Sequence, residues 1–294
     1  MGEIMADDIK TDINRRNLLL GGATAAVSAG LMAGTSADAS QMQQGRFQDK
    51  VVLITGATSG IGKATAQAFA QEGAKVVFCG RRRTLGAEVA AGINADGRKA
   101  TYIHADVREV DQVEALIKGC MDLHGRIDIA HNNAGIAGPF GAYDTISLDG
   151  LEGYYDTMRT NVDGVFYAMR FEIPIMVEQG GGVIVNTASM LGSTGAGGSG
   201  VYSSSKHAVI GLTQSAALAN AKHKVRCVSV SPGPVDTPLM QRATGGNLAA
   251  VAAGNPSGRL AKPSEVANLV MALSTPEASY INGSDVKIDG AASA

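Results

Sequence analysis

The chain has 294 residues, 45% of them hydrophobic and 18% charged, which is enough to bury a sizeable core and excludes wholesale disorder. The formal net charge of −2 carries no basic surplus, so no nucleic-acid partner is expected. Cys79, Cys120 and Cys227 are odd in number and widely spaced, which suggests neither a disulfide framework nor a cysteine zinc site.

The first 46 residues are a different kind of sequence. Arg15 and Arg16 precede Asn17-Leu18-Leu19-Leu20, a weakly apolar Gly/Ala-rich run extends to about Gly34, and Ala37-Asp38-Ala39 is a small-residue cleavage pattern. This order resembles a bacterial twin-arginine export signal. The resemblance implies a signal peptide over 1–39, a short linker over 40–46, and a periplasmic or secreted protein. Lys10, Arg15 and Arg16 stand against Glu3, Asp7, Asp8 and Asp12, so the leading segment is not net positive. A cytoplasmic tail is the alternative. The apolar run is short and Gly-rich beside the roughly 20 apolar residues of a spanning helix, so no stable membrane insertion is expected. Residues 1–39 hold three basic and five acidic residues, and without them the chain is neutral.

From residue 47 to the end, strand patterns alternate with helical ones. Short apolar, β-branched runs predict strands at Lys50–Thr55, Lys75–Cys79, Ala100–His104, Ile127–Ala130, Val183–Thr187, Val225–Ser231 and Asp285–Ile288. Helices are expected between them, for example at Gly60–Glu72, Glu109–His124 and Val201–Lys222. This alternation predicts one α/β domain over 47–294, a Rossmann-type doubly wound parallel sheet with helices on both faces.

The first predicted strand runs into Thr55-Gly56-Ala57-Thr58-Ser59-Gly60-Ile61-Gly62. Glycines at 56, 60 and 62 allow a tight turn and close approach to a pyrophosphate, and the next helix aims unpaired N–H groups at it. Past the second strand, where a ribose-binding acid is expected, the chain reads Cys79-Gly80-Arg81-Arg82-Arg83. A small residue followed by arginine leaves room for a 2′-phosphate and supplies a guanidinium for it, which favours NADP over NAD. Arg81 is assigned to that phosphate; Arg82 and Arg83 read as a solvated helix start.

Tyr202 and Lys206 are four residues apart, on one face of a predicted helix. A nearby ammonium favours the phenolate, and so would an oxidised nicotinamide, giving a general base near neutrality. Here the sequence resembles the short-chain dehydrogenase/reductase family over essentially all of 47–294. The loop Thr55–Gly62 is similar to its cofactor glycine motif, and Asn132-Asn133-Ala134-Gly135 to its NNAG motif. Asp106-Val107 resembles the adenine-binding segment, and Pro232-Gly233-Pro234-Val235-Asp236-Thr237 the motif that closes over the nicotinamide. Ser189 lies thirteen positions before Tyr202, the family interval, and Asn161 looks like the helix asparagine that anchors a relay water.

The resemblance implies a catalytic set of Asn161, Ser189, Tyr202 and Lys206. Tyr202 is then the acid/base, Lys206 lowers its pKa and holds the nicotinamide ribose, Ser189 bonds the substrate oxygen, and Asn161 carries the relay water. Cofactor contacts are implied at Gly56, Ser59, Gly60, Ile61, Gly62, Arg81, Asp106, Val107, Asn133, Tyr202, Lys206, Pro232, Val235 and Thr237. The sequence departs from the family pattern at Ser59, where a basic residue often stands, at Ala188, and at the ending Asp289-Gly290-Ala291. The first departure leaves NAD open.

The expected activity interconverts a secondary alcohol and a ketone. A non-catalytic dinucleotide sensor, or a reductase of acyl-carrier-protein-linked 3-oxo substrates in the cytoplasm, are the other readings. Homotetramers are common in the family. No metal is expected, since His104, His124, His131, His207 and His223 show no ligand spacing. The pocket-lining segments, Met190–Gly200 and Leu239–Arg259, carry no pattern that selects a substrate.

Overall fold

The computed structural model describes residues 45–148 and 151–294. The expected signal peptide and linker residues 40–44 lie outside the described residues. The two remaining linker residues belong to the fold: Arg46 donates to the Glu72 carboxylate from its backbone N–H and its guanidinium, both at 3.0 Å. Phe47 packs edge-on against Phe69 beside them.

In chain order the strands are β1 (Val51–Thr55), β2 (Lys75–Gly80), β3 (Lys99–His104), β4 (Ile129–Asn132), β5 (Gly182–Thr187), β6 (Val225–Pro232) and β7 (Asp285–Ile288). The α-helices are α1 (Gly60–Gln71), α2 (Arg83–Ala95), α3 (Val110–His124), α4 (Glu152–Met158), α5 (Gly164–Glu178), α6 (Gly200–Asn220), α7 (Pro238–Ala243), α8 (Leu248–Gly254) and α9 (Pro263–Ser274). A π-helical turn, Arg159–Asp163, joins α4 to α5. The seven strands form one parallel sheet in the order β3-β2-β1-β4-β5-β6-β7.

Alternation along the strands builds two cores. Val51, Leu53, Val77 and Cys79 face α3, α5 and α6, whereas Val52, Ile54, Val76 and Phe78 face α1, α2 and α9. Burial on both sides is why β1 reads as an unbroken apolar run. The predicted α/β architecture is the observed one. The fourth strand starts later than expected, at Ile129. The Gln179 side chain takes the Ile127 N–H at 3.2 Å, and Asp128 turns its carboxylate onto the Val51 N–H at 2.9 Å.

The chain passes from β3 at one edge back to β4, beside β1. Successive connections leave β1 and β4 on opposite sides, so a crevice opens at the carboxyl ends of these two strands. In open α/β sheets that switch point is where ligands bind.

Candidate active site

At that crevice lies a cavity of about 630 Å³, within the range of small-molecule and cofactor sites. Its floor is the loop from β1 to α1. Gly56 has φ +71°, and a Cβ there would stand 2.6 Å from the Ala134 Cα. A Cβ on Gly62 would meet the Gly56 carbonyl and the Asn133 side chain at 2.6 Å. Gly62 therefore lies behind the wall and keeps the loop tight, whereas Gly56, Ser59, Gly60 and Ile61 line the cavity. Ser59 occupies the N-cap of α1 but its side chain caps nothing, so the helix's first N–H groups stay available to an anion.

Asn133 holds the far side. Its side chain donates to the Thr55 and Gly56 carbonyls at 3.2 and 3.3 Å, and its backbone N–H donates to Thr55 Oγ1 at 3.0 Å. This clamp fixes the end of β4 against the glycine loop. Asp106 and Val107, after β3, reach the same cavity. Burial raises the Asp106 carboxyl, but the Arg108 guanidinium grips both its oxygens and leaves it below the usual carboxylate range.

Arg81 lines the cavity as predicted, 4.0 Å from Asp106. Arg82 is the exposed N-cap of α2, as expected of a solvated helix start, but its side chain also turns inward. Its guanidinium donates to Thr58 Oγ1 at 2.7 Å and to Ser59 Oγ at 2.6 Å, and it also lines the cavity. Arg81 and Arg82 follow the end of β2 directly, and both line the cavity; the run of three arginines gave no means of choosing between them. Arg83 alone of the three is not among the cavity walls.

At the other end, Ser189 follows β5, and Tyr202 and Lys206 share one face of α6. All three line the cavity. Lys206 Nζ lies 5.8 Å from the Tyr202 ring centre and donates to the Thr187 carbonyl at 2.7 Å. Burial pushes the Lys206 ammonium down to about 8. Burial also pushes the Tyr202 phenol above its usual range, and a hydrogen bond with Ser189 opposes this. The expected depression of the Tyr202 pKa by Lys206 is therefore not what the protein's own groups produce. Lys206 is not among the groups that shift the phenol; its ammonium sits over the ring face, tied to the Thr187 carbonyl. Ser189 also accepts from the Leu191 N–H at 3.2 Å, which caps a short turn and fixes its hydroxyl.

Asn161 is fully buried in the π-helical turn and does not line the cavity. It brackets Ile136, donating to its carbonyl at 2.9 Å and accepting its N–H at 2.8 Å, and donates to Ser205 Oγ at 3.0 Å. A Cβ on Gly135 would lie 3.3 Å from Asn161 Oδ1 and 3.5 Å from Lys206 Nζ, so both polar groups converge on that glycine. Pro232, Val235 and Thr237 form the roof. Thr237 Oγ1 caps α7 by accepting the Met240 N–H at 3.2 Å, and the Thr237 methyl group lies over Gly60.

Several contributors escaped sequence reasoning. Thr187 acts through a backbone carbonyl, which carries no side-chain signal. His131 is buried, forms a hydrogen bond between its Nε2 and Thr187 Oγ1 at 2.9 Å, and is pushed down to about 3 by burial, so it stays neutral. The mouth beside Tyr202 is apolar: Phe140, Met190, Leu191, Leu239 and Met240 line it. Phe140 comes from the loop after β4, outside both segments expected to form the pocket. Arg259 pairs with Glu265 and is not among the walls.

A family model described as enoyl-(acyl carrier protein) reductase matches residues 56–292. Cyclohexanol dehydrogenase of Acinetobacter sp. (strain SE19) is 38% identical over 251 residues, covering 85% of this chain and 98% of that protein. Two solved structures are similar at 32% identity. The 3-ketoacyl-(acyl-carrier-protein) reductase of Brucella melitensis, complexed with NADH, has a TM-score of 0.78, covering 84% of this chain and all of that one. A variant of actinorhodin polyketide ketoreductase with NADPH has a TM-score of 0.79, covering 83% and 97%. The glycine loop, the Ser/Tyr/Lys convergence and these matches over nearly the whole of each relative agree: the chain belongs to the short-chain dehydrogenase/reductase family and is an oxidoreductase.

Proposed function

We propose that this protein is a nicotinamide-dependent dehydrogenase that interconverts an apolar, alicyclic secondary alcohol and its ketone, with NADP preferred to NAD. The carrying observation is the convergence of Ser189, Tyr202 and Lys206 on one end of a cavity whose other end is a glycine loop flanked by Arg81 and Arg82. The residues fit a dinucleotide. Uncapped N–H groups of α1 suit a pyrophosphate, the Cβ-free loop admits close approach, and the guanidiniums suit a 2′-phosphate. The apolar mouth formed by Phe140, Met190 and Leu239, together with the similarity to a cyclohexanol dehydrogenase, supports the substrate class.

When bound, the nicotinamide supplies the hydride acceptor or donor and, oxidised, a positive charge that favours the phenolate. The chain supplies the proton chemistry. Ser189 and Tyr202 hold the substrate oxygen between them. In the oxidation direction Tyr202 takes the hydroxyl proton; in reduction it returns one. Ser189 donates to the oxygen as charge develops there. The Thr187 carbonyl fixes the Lys206 ammonium over the Tyr202 ring face, and Asn161 fixes the 135–136 backbone beside it. Purified protein supplied with NADP or NAD and a series of cyclic and open-chain secondary alcohols tests the reading by nicotinamide absorbance. Turnover of ring alcohols with NADP supports it; exclusive turnover of carrier-linked 3-oxo substrates overturns the substrate class.

The twin arginines at 15 and 16 support export through a route that carries folded proteins, with the dinucleotide already bound. Homotetramers are common in the family, and by that analogy light scattering is expected to read four chain masses. A monomer contradicts that.

A further inference from the structure

Arg242 stands in the last turn of α7, the short helix capped by Thr237 at the roof of the cavity. It lines the same cavity as Arg82, and the Thr237 methyl at the start of its helix lies over Gly60, next to the Ser59 hydroxyl that Arg82 bonds. Among the described residues neither arginine is paired with a carboxylate. Asp106, an acid that lines the same cavity, is held by Arg108 and approached by Arg81. Arg82 spends its donors on the hydroxyls of Thr58 and Ser59, and both hydroxyls, as acceptors, keep their own protons to donate into the cavity. Burial lowers the Arg82 pKa, and the neighbouring charges of Arg242 and then Arg81 lower it further. Two guanidiniums that line one cavity without a carboxylate partner are relieved by an anion held between them.

We propose that Arg242 and Arg82 form a two-sided clamp on a phosphate group of the bound dinucleotide, with Arg242 carried in from the roof. The inference rests on the dinucleotide reading and extends it to a residue that neither the glycine loop nor the end of β2 supplies. Its consequence is coupling. A phosphate bridging the two arginines ties α7, and through it the apolar residues Leu239 and Met240, to the β1–α1 loop. Cofactor binding then shapes the substrate mouth before substrate arrives.

The test is binding of NADPH and of NADH, read by reduced-nicotinamide fluorescence, to the full chain and to Arg242→Gln, with Arg98→Gln as the surface control. Limited proteolysis across residues 238–258 is followed in parallel, with and without each dinucleotide. We expect Arg242→Gln to bind at least about tenfold more weakly and to lose cofactor protection of that segment, while Arg98→Gln matches the wild type. Weakening with NADPH alone assigns the clamp to the 2′-phosphate; equal weakening with both assigns it to the pyrophosphate. Unchanged affinity for both, with protection retained, overturns the clamp. Failure of the wild type to bind either dinucleotide overturns the dinucleotide reading itself, which separates the two claims.

Discussion

Single residues at the crevice carry distinct burdens. Ser189 is positioned twice, by the turn it caps and by its bond with Tyr202, so its loss removes a donor from a preformed site. Ser189→Ala is expected to lower kcat about 10²–10³-fold with little change in dinucleotide affinity, in steady-state kinetics alongside cofactor titration. Gly56 is different, because its demand is steric. A methyl group at φ +71°, pressed 2.6 Å from the Ala134 Cα, forces the loop open. Gly56→Ala should weaken dinucleotide binding roughly tenfold or more while far-ultraviolet circular dichroism stays native-like. These two positions were legible in the sequence, since glycine spacing and the Ser–Tyr interval are local patterns. Arg82 and Arg242 were not. Which of three neighbouring guanidiniums line the cavity, and that Arg242 of α7 lines it too, depends on the strand's end and the roof, not on spacing.

Among the elements, α5 is tied to the sheet by more than apolar packing. Glu172, fully buried, accepts from Asn132 of β4 at 3.0 Å, and Asn132 also donates to Asn186 of β5 at 3.1 Å. Burial pushes the Glu172 carboxyl up to about 7, partly offset by the Asn132 hydrogen bond. The folded-state value lies above the unfolded one, so the stability Glu172 contributes is fully present below about pH 4.5 and is lost as pH rises through about 7. Glu172→Gln keeps the shape and removes the titration. The variant is expected to unfold at a higher temperature than the wild type at pH 8 and at nearly the same temperature at pH 5. Scanning calorimetry reads this difference, and an equal gap at both pH values would contradict it. The strands were legible because both faces of β1 and β2 are buried. Ends were less so: side chains such as Gln179 take strand-end backbone groups through contacts 52 residues away in sequence. The π-helical turn was not legible either, since it arises where Asn161 must bracket Ile136.

For the whole molecule, the topology explains why one cavity can hold both chemistries. The switch between β1 and β4 places the glycine loop, Arg81 and Arg82, and the Ser/Tyr/Lys group around a single crevice. Ahead of that domain stands the twin-arginine segment. Replacing Arg15 and Arg16 together by Lys is expected to leave the protein in the cytoplasm, with cofactor-dependent activity intact, when cell fractions are assayed. Unchanged distribution between fractions would return the segment to a cytoplasmic tail and restore the carrier-linked substrate as the stronger reading. The account's central claim is that the cavity binds a nicotinamide dinucleotide and that Tyr202 moves the proton there. It is tested most directly by measuring NADPH binding and turnover of a cyclic alcohol–ketone pair side by side in wild type and Tyr202→Phe. The account predicts affinity within a few-fold of wild type and turnover reduced by about 10²–10⁴. Turnover that survives in Tyr202→Phe would contradict the assignment of the acid/base.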